Sequence, residues 1–217
     1  MKRVLLSWSS GKDSAWALHV LRQDPDAELV GLLTTFNEAV NRVAMHAVRR
    51  DIVDAQAKAT GLPLWPVHIP SPCPNEIYEE RMRAAMEDAR AKGVTHVAFG
   101  DLFLEDVRRY REERLAPTGI GAIFPLWGRP TPELAREMIG AGLRATITCV
   151  DPKQLDPGFA GKQFEESVFP AGVDPCGERG EFHSCATAGP MFDAPIATKT
   201  GDVVERDGFV FCDVTLR

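Results

Sequence analysis

The chain has 217 residues, of which 44% are hydrophobic and 26% are charged, and its net charge is −6. This composition is typical of a globular protein, and the acidic balance argues against a general affinity for nucleic acid backbones. No apolar run approaches the roughly 20 residues that span a bilayer, and no apolar leader follows the first residues, so we expect a cytoplasmic protein without a membrane partner.

Strands and helices are predicted to alternate in the first half of the chain. The predicted strands, which are short apolar runs, are residues 4–6, 28–36, 64–69 and 95–99. The predicted helices, which show helical spacing of apolar residues, are residues 15–21, 44–60, 78–89 and 104–115. This alternation indicates βαβ units in a parallel sheet with helices on both faces.

The pattern changes after residue 127. The predicted elements there are a helix over 131–141, a strand over 144–150, a glycine- and proline-rich loop over 151–190 and hairpin strands over 196–205 and 209–216. We therefore predict an α/β protein with two domains. Residues 1–127 form a Rossmann-like parallel sheet between helices, and residues 128–217 form a smaller α+β domain.

The most informative stretch is the polar turn between the first strand and the first helix. Residues 7–14 read Ser-Trp-Ser-Ser-Gly-Lys-Asp-Ser. Free backbone N–H groups and the positive end of a helix dipole make such a turn an anion site. A Walker A loop is excluded, because Leu6 stands where its first glycine should be and Asp13 follows Lys12. An ordinary strand-to-helix connection capped by Ser or Asp is the alternative.

Residues 9–14 resemble the Ser-Gly-Gly-x-Asp-Ser motif of the PP-loop, or N-type, ATP pyrophosphatases. The resemblance implies that ATP is cleaved between its α and β phosphates and that this turn holds the pyrophosphate. Ser10 replaces the first glycine of the motif, which costs backbone freedom but adds a hydroxyl donor. Asp13 is predicted to hold Mg²⁺ or to brace the loop, and it could also cap the helix.

A second polar stretch, residues 176–183, reads Cys-Gly-Glu-Arg-Gly-Glu-Phe-His. A solvated glycine-rich loop is one interpretation. In the other, Glu178 and Glu181 bind Mg²⁺, orient an amine or act as a base. His183 could titrate near neutrality or be structural. Cys176 has no base beside it in sequence and is not predicted to be a nucleophile.

Charged residues also follow the fourth predicted strand. Asp101 lies at its end, and Arg108, Arg111 and Glu112 share one face of the next helix. That face is either a solvated set of salt bridges or a site where Arg111 binds phosphate or a substrate carboxylate through two hydrogen bonds. The same two interpretations apply to a basic stripe after the second strand, formed by Arg42, His46 and Arg49.

Together with residues 124–127, Phe-Pro-Leu-Trp, these motifs resemble the diphthine–ammonia ligase family over about residues 1–193. The last motif has Glu-Arg-Gly-Glu-Phe-His-Ser where eukaryotic and archaeal ligases usually carry Glu-Gly-Gly-Glu-Tyr-Glu-Thr. The chain is thus similar to a bacterial branch whose substrate is unsettled. The resemblance implies a HUP-type fold and a ligase that adenylates a carboxylate with ATP and then forms an amide with ammonia, releasing AMP and pyrophosphate.

The resemblance also implies roles for individual residues. The predicted catalytic residues are Lys12, Asp13, Glu178 and Glu181. The predicted nucleotide-binding residues are Ser7, Trp8, Ser9, Ser10, Gly11, Lys12, Asp13, Ser14, Thr34, Thr35, Phe36, Gly100 and Asp101. The predicted substrate-binding residues are Arg111, Glu112, Cys176, Gly177, Gly180 and His183. The implied cofactors are ATP and Mg²⁺, with Asp13 as the metal ligand, and the implied partners are ammonia and a small-molecule or protein-borne carboxylate.

Two other functions are compatible with the same motifs. One is a nucleotide-binding sensor that does not turn ATP over. The other is a PP-loop enzyme that modifies tRNA, against which the acidic composition and the absence of any Cys-x-x-Cys pair among the five cysteines both count. The sequence is also compatible with a homo-oligomer.

Overall fold

The computed structural model of the protein describes residues 1–43 and 47–217. The strands are β1 Lys2–Ser7, β2 Ala27–Asn37, β3 Arg42–Val43, β4 Leu64–Ile69, β5 His96–Ala98, β6 Gly121–Ile123, β7 Arg144–Val150, β8 Phe182–Ala188, β9 Thr198–Arg206 and β10 Phe209–Leu216. The helices are α1 Lys12–Leu21, α2 Arg50–Thr60, α3 Asn75–Ala91, α4 Glu105–Leu115 and α5 Thr131–Gly140. Among the described residues, no helix has both the length and the apolar character that crossing a membrane requires.

The first sheet confirms the predicted α/β architecture. Its parallel strands lie in the order β4-β2-β1-β5-β6, and the short β3 pairs antiparallel with the end of β2. Side chains alternate across the strands, so Leu6 packs with α1 and α2 on one face while Leu5 packs with α3 and α4 on the other. Both faces of the sheet are therefore covered by helices, as parallel sheets require.

The second sheet is antiparallel, with the order β8-β7-β10-β9. The larger hydrophobic core runs without a break from Trp16 of α1 to Leu134 of α5, Ile147 of β7 and Phe182 of β8. The predicted α/β domain and smaller α+β domain thus correspond to two sheets that share one core. The boundary at residue 127 stays a prediction.

Several elements differ from the predictions. Helix α2 begins at Arg50, because Arg49 forms a bridge with Arg42 of the unpredicted strand β3; residues 47–49 of the predicted helix are not helical, and its residues 44–46 lie outside the described residues. Strand β6 was not predicted, because its residues Gly and Ala give little strand signal. Strand β8 lies in the stretch predicted as loop, because its small residues Ser, Cys and Ala give little strand signal and its pairing with β7 stabilises it instead.

Candidate active site

The PP loop, defined here as residues 8–14, connects β1 to α1 and has one strained residue. Ser10 has a φ of 71°, in the left-handed region that favours glycine, and it stands at the glycine position of the motif. Its side chain is completely buried, with Oγ 3.7 Å from Cys185 Sγ. The hydroxyl that we expected to serve as an added donor therefore faces the core.

The main chain of Ser10 is fixed by a network that the sequence analysis missed. The backbone N–H of Ala186 in β8 and the Gln56 side-chain amide both donate to the Ser10 carbonyl, at 2.9 and 3.1 Å. Gln56 also donates to the Ala186 carbonyl at 2.8 Å and accepts from the Trp8 indole N–H at 2.9 Å. The available signal was a glutamine on the apolar face of α2, beside Ile52 and Val53.

Gly100 sets the distance between the end of β5 and the first turn of α1. A Cβ atom at Gly100 would lie 2.9 Å from the Asp13 carbonyl carbon and 3.0 Å from the Ser14 nitrogen. Real Cβ atoms do not approach backbone so closely. Gly100 was predicted to bind nucleotide, and the structure gives it this packing role beside the PP loop.

A cavity of about 780 Å³ opens at the carboxyl ends of β1, β2 and β5, between α3 and α4. Its polar wall from the sheet includes Ser7, Ser9 and Thr35, and its helical wall includes Tyr78, Tyr110 and Arg111. Ligands of open α/β sheets bind at this end of the strands. The cavity is therefore the candidate binding site, and predicted nucleotide residues from two strands meet in it.

The predicted nucleotide-binding segment of β2, residues 34–36, contributes one side chain to the cavity. Thr35 lines it, whereas Thr34 and Phe36 are buried on the opposite face of the sheet. The Thr34 hydroxyl donates to the Trp8 carbonyl at 2.8 Å and so supports the PP loop from behind. Strand alternation explains why only the middle residue of the three reaches the cavity.

Asp101 and Arg111 form an ion pair at the cavity wall. Arg111 Nε and Nη2 donate to the Asp101 carboxylate at 2.6 and 3.0 Å, and the guanidinium lies 4.4 Å from the centre of the Phe99 ring. The two hydrogen bonds expected of Arg111 toward a ligand are thus made to Asp101. Glu112 accepts from Arg108 at 2.8 Å on the outer face of α4, which favours the salt-bridge interpretation for this pair.

Arg42 and Arg49 of the basic stripe after β2 do not line the cavity. Arg42 and Arg49 donate to Asp213 of β10 at 2.8 and 2.6 Å, and His46 lies outside the described residues. Burial raises the pKa of Asp213, but hydrogen bonds from the two arginines outweigh it and lower that pKa to about 2. The stripe therefore holds the second sheet to the segment after β2.

The second predicted motif lies in a loop that we call the acidic loop, residues 174–181. The Asp174 carboxylate accepts from the backbone N–H groups of Cys176 and Glu178 at 3.2 and 3.0 Å. The buried Glu181 carboxylate accepts from the backbone of Asp174 and Arg179, each at 3.0 Å. Glu181 thus braces the loop, a geometry that does not favour its predicted catalytic role. Asp174 was missed, although the sequence Asp-Pro-Cys-Gly is typical of a turn.

The backbone conformation of the acidic loop explains why glycine occurs at its two glycine positions. Gly177 has a φ of 68°, and a Cβ there would lie 2.8 Å from the Phe182 carbonyl oxygen. Gly180 has a φ of 89° with open space around it. Their predicted contacts with substrate remain predictions, because the turns of the loop are enough to require glycine at both positions.

Glu178 is the residue of the acidic loop with the properties of an acid–base group. Its Oε1 accepts from the Leu102 backbone N–H at 2.7 Å, which places it beside the end of β5. Burial, together with the negative charges of Asp13 and Asp101, raises the pKa of Glu178 to about 7, although the hydrogen bond from Leu102 and the charge of Lys12 oppose the shift. A carboxyl group of this kind can take up or release a proton near neutral pH.

Lys12 does not line the cavity. Its side chain is only 2% exposed, and its ammonium donates to Asp13 Oδ2 at 2.8 Å and to the Cys176 carbonyl. Burial lowers the pKa of Lys12, but Asp13 and the other acidic groups around it, Cys176 and Glu178, together raise that pKa above its ordinary value. Lys12 is therefore a buried cation between α1 and the acidic loop.

Cys176 and His183 are both uncharged at neutral pH. Burial raises the pKa of the Cys176 thiol far above neutrality, and Sγ donates to the Thr131 carbonyl at 3.5 Å. Burial, helped by the charge of Lys12, lowers the pKa of His183 to about 4. A protonated thiol is a poor nucleophile, which agrees with the sequence analysis.

Asp13 fits the predicted role of a Mg²⁺ ligand in one respect. Its Oδ1 is buried and accepts no hydrogen bond from the described part of the chain, while Oδ2 accepts from Lys12. Mg²⁺ usually takes one or two carboxylates together with phosphate oxygens. Across residues 1–43 and 47–217, no three His, Cys, Asp or Glu side chains lie close enough to hold a metal by themselves. Asp13 therefore offers one carboxylate oxygen for such an ion, and Mg²⁺ binding stays a prediction.

Comparisons with known proteins agree on one group. The family model described as "Diphthamide synthase N-terminal domain" matches residues 1–119. The diphthine–ammonia ligase of Bos taurus is 25% identical in an alignment 244 residues long, which covers 98% of this chain and 88% of the relative. The human diphthine–ammonia ligase is also 25% identical, over 242 residues with the same coverage.

Proposed function

This chain belongs to the diphthine–ammonia ligase family, and from that membership we propose that it is an ATP-dependent ligase that joins a carboxylate to ammonia. The observation that carries the proposal is the cavity at the carboxyl ends of β1, β2 and β5. Trp8 and Ser9 of the PP loop form part of its wall, and the Glu178 carboxylate accepts a hydrogen bond from Leu102, in the segment that follows β5. The proposal places a nucleotide in the cavity and gives proton transfer to Glu178.

ATP would occupy the cavity with its base against the ends of β1 and β2, where Thr35 provides a hydroxyl. Its phosphates would lie at the first turn of α1, whose N–H groups and dipole stabilise negative charge. The Ser9 hydroxyl, 3.2 Å from the Ser14 hydroxyl, stands at the same turn. Mg²⁺, when bound through Asp13, would supply positive charge to the phosphate oxygens.

The proposed reaction has two steps. A substrate carboxylate oxygen attacks the α phosphorus, the α–β phosphoanhydride bond breaks, and pyrophosphate leaves with the electron pair. Ammonia then attacks the acyl carbon, AMP leaves, and the amide product remains. The nitrogen must lose a proton in the second step, and Glu178 is suited to accept it because its pKa is about 7.

The products of ATP cleavage test this proposal. Purified protein is incubated with ATP, Mg²⁺, ammonium and a panel of carboxylates, and the phosphorus species are identified by ³¹P NMR. We expect AMP and pyrophosphate. ADP and phosphate would contradict the proposal, and tight ATP binding with no consumption across the panel would favour a sensor instead.

A variant tests the placement of ATP in the cavity. Thr35→Trp would fill the space beside β2 and should weaken ATP binding at least about tenfold, since a steric clash removes several favourable contacts. The control is Thr200→Trp, because Thr200 is exposed on β9 away from the cavity. Isothermal titration calorimetry compares the two variants, and equal ATP affinities would reject this placement.

A further inference from the structure

Lys12 occupies the variable position of the PP-loop motif, and its environment differs from that of a phosphate ligand. It is the first residue of α1, yet its ammonium is directed away from the cavity into the space between α1 and the acidic loop. There it lies 5.1 Å from the centre of the Phe182 ring and 5.6 Å from that of Phe164. Aromatic faces of this kind attract a desolvated cation.

The ammonium is well satisfied where it is. An ammonium has three N–H donors, of which one goes to Asp13 Oδ2 and another to the Cys176 carbonyl. The backbone N–H of Lys12 also donates to the Ser184 hydroxyl of β8 at 3.3 Å. Moving the side chain to the phosphates would leave the buried Cys176 carbonyl without this donor, which carries a desolvation cost.

The acidic loop is held rigid by internal hydrogen bonds, so a single contact can fix the position of the whole loop. Asp174 and Glu181 together bind four backbone N–H groups of the loop. The Cys176 carbonyl therefore belongs to a braced unit, and Glu178 follows two residues later with its carboxylate on Leu102. A contact that fixes the Cys176 carbonyl also fixes Glu178.

We infer that Lys12 is a positioning residue that anchors the acidic loop, and with it Glu178, to the start of α1 instead of contacting the phosphates of ATP. The inference rests on the proposed function only for the identity of the nucleotide. It assigns the phosphate contacts of the PP loop to backbone N–H groups and hydroxyls. It also makes the lysine the physical connection between the nucleotide side and the acid–base side of the site.

The variant Lys12→Met, which keeps the length of the side chain and removes its charge, separates the two roles. We expect its ATP affinity to change less than about threefold, while amide hydrogen exchange of residues 176–181 becomes at least about tenfold faster. The control Lys58→Met, at an exposed lysine of α2, should change neither quantity. A loss of ATP affinity of about tenfold or more, as a charged hydrogen bond to phosphate implies, with unchanged exchange would overturn the inference.

A second measurement uses the unaltered protein, in case Lys12→Met does not fold. The ammonium signal of Lys12 is followed by ¹⁵N NMR as ATP is added to saturation without Mg²⁺, since an ion on Asp13 would itself change the signal. We expect the signal to keep its chemical shift, and a large shift on ATP binding would overturn the inference. If the unaltered protein binds no ATP, the proposed function fails, whereas the exchange of residues 176–181 in Lys12→Met still tests the anchoring.

Discussion

At the scale of single residues, the PP loop contains a residue in a conformation that costs free energy. An L-residue in the left-handed region is less stable than glycine by roughly 1 kcal/mol. Ser10 is held there because its carbonyl accepts hydrogen bonds from both Ala186 and Gln56. Within the part of the chain that the structure describes, its hydroxyl has only a long contact with the Cys185 thiol.

Ser10→Gly should therefore raise the free energy of unfolding by up to about 1 kcal/mol, because the backbone strain is relieved and little packing is lost. Ser10→Val should lower it by about 1–3 kcal/mol, since a β-branched side chain tolerates this conformation poorly. Urea unfolding measures both. Asp207→Gly, at an exposed turn residue with a φ of 54°, is the control for relief of strain alone. A Ser10→Gly protein clearly less stable than the unaltered one would contradict the prediction.

The raised pKa of Glu178 predicts a pH dependence of stability. The folded protein binds the Glu178 proton up to about pH 7, whereas a glutamic acid in the unfolded chain releases it near pH 4.5. Its contribution to stability is thus complete below about pH 4.5 and is lost as the pH rises through 7. The difference in unfolding free energy between the unaltered protein and Glu178→Gln should fall over this window. Urea titrations at several pH values measure it, and a constant difference would contradict the assignment.

The residues of the PP loop could be predicted from the sequence, but the directions in which their side chains point could not. The order of serines, glycine, lysine and aspartate identified the PP loop. Whether the Lys12 side chain faces the cavity or the core depends on acceptors more than 160 positions away in the chain, such as the Cys176 carbonyl. The contacts of Gln56 could not be predicted either, because its hydrogen-bond partners Trp8, Ser10 and Ala186 are distant from it in sequence.

At the scale of elements, the approach of β5 to α1 decides the geometry of the site. The strand end and the helix start touch at Gly100, where no side chain separates them. This contact brings Leu102, and hence Glu178, within reach of the PP loop.

Gly100→Ala should lower the free energy of unfolding by about 1–3 kcal/mol and weaken ATP binding, because the added methyl group pushes against the backbone of Asp13 and Ser14. The matched control is Gly140→Ala at the end of α5, where nothing lies within 4 Å of the added methyl group. That change should be neutral or stabilise the helix by up to about 1 kcal/mol. Thermal unfolding and calorimetry measure the two effects, and similar results for both variants would count against the packing role.

Elements with strong periodicity were predictable, and elements defined by pairing were not. Strand β4 and strand β7 begin and end where the apolar runs indicated. Strand β8 could not be found, because its small residues become a strand only through hydrogen bonds to β7. The start of α2 shifted for a related reason, since Arg49, inside the predicted helix, forms a bridge with Arg42 of β3 instead.

At the scale of the whole molecule, the two sheets depend on one another. The larger core includes side chains from both sides of residue 127, and the Lys12 ammonium takes an acceptor from the acidic loop. The predicted boundary therefore separates two sheets that share a core and are joined by the contact between Lys12 and the acidic loop.

A fragment of residues 1–127 should not unfold cooperatively and should not bind ATP. It would lose the Ala186 donor to Ser10 and would leave the Lys12 ammonium without the Cys176 carbonyl. Far-UV circular dichroism during urea titration and calorimetry with ATP test this, with the full chain as the control. A fragment that unfolds in one sharp transition and binds ATP as well as the full chain would show that residues 1–127 are self-sufficient.

The hydrogen-bond network of Gln56 with Trp8, Ser10 and Ala186 also determines which substitutions evolution can accept in the second half of the chain. Two of the groups that β8 contributes to it, the N–H and the carbonyl of Ala186, belong to the main chain, and so does the Ser10 carbonyl. A substitution in β8 leaves these groups in place as long as the strand keeps its register. Selection on these main-chain hydrogen bonds therefore acts on the register of β8 and on one glutamine, whereas the side chains of Ser184 and Cys185, which contact Lys12 and Gln56, are constrained directly.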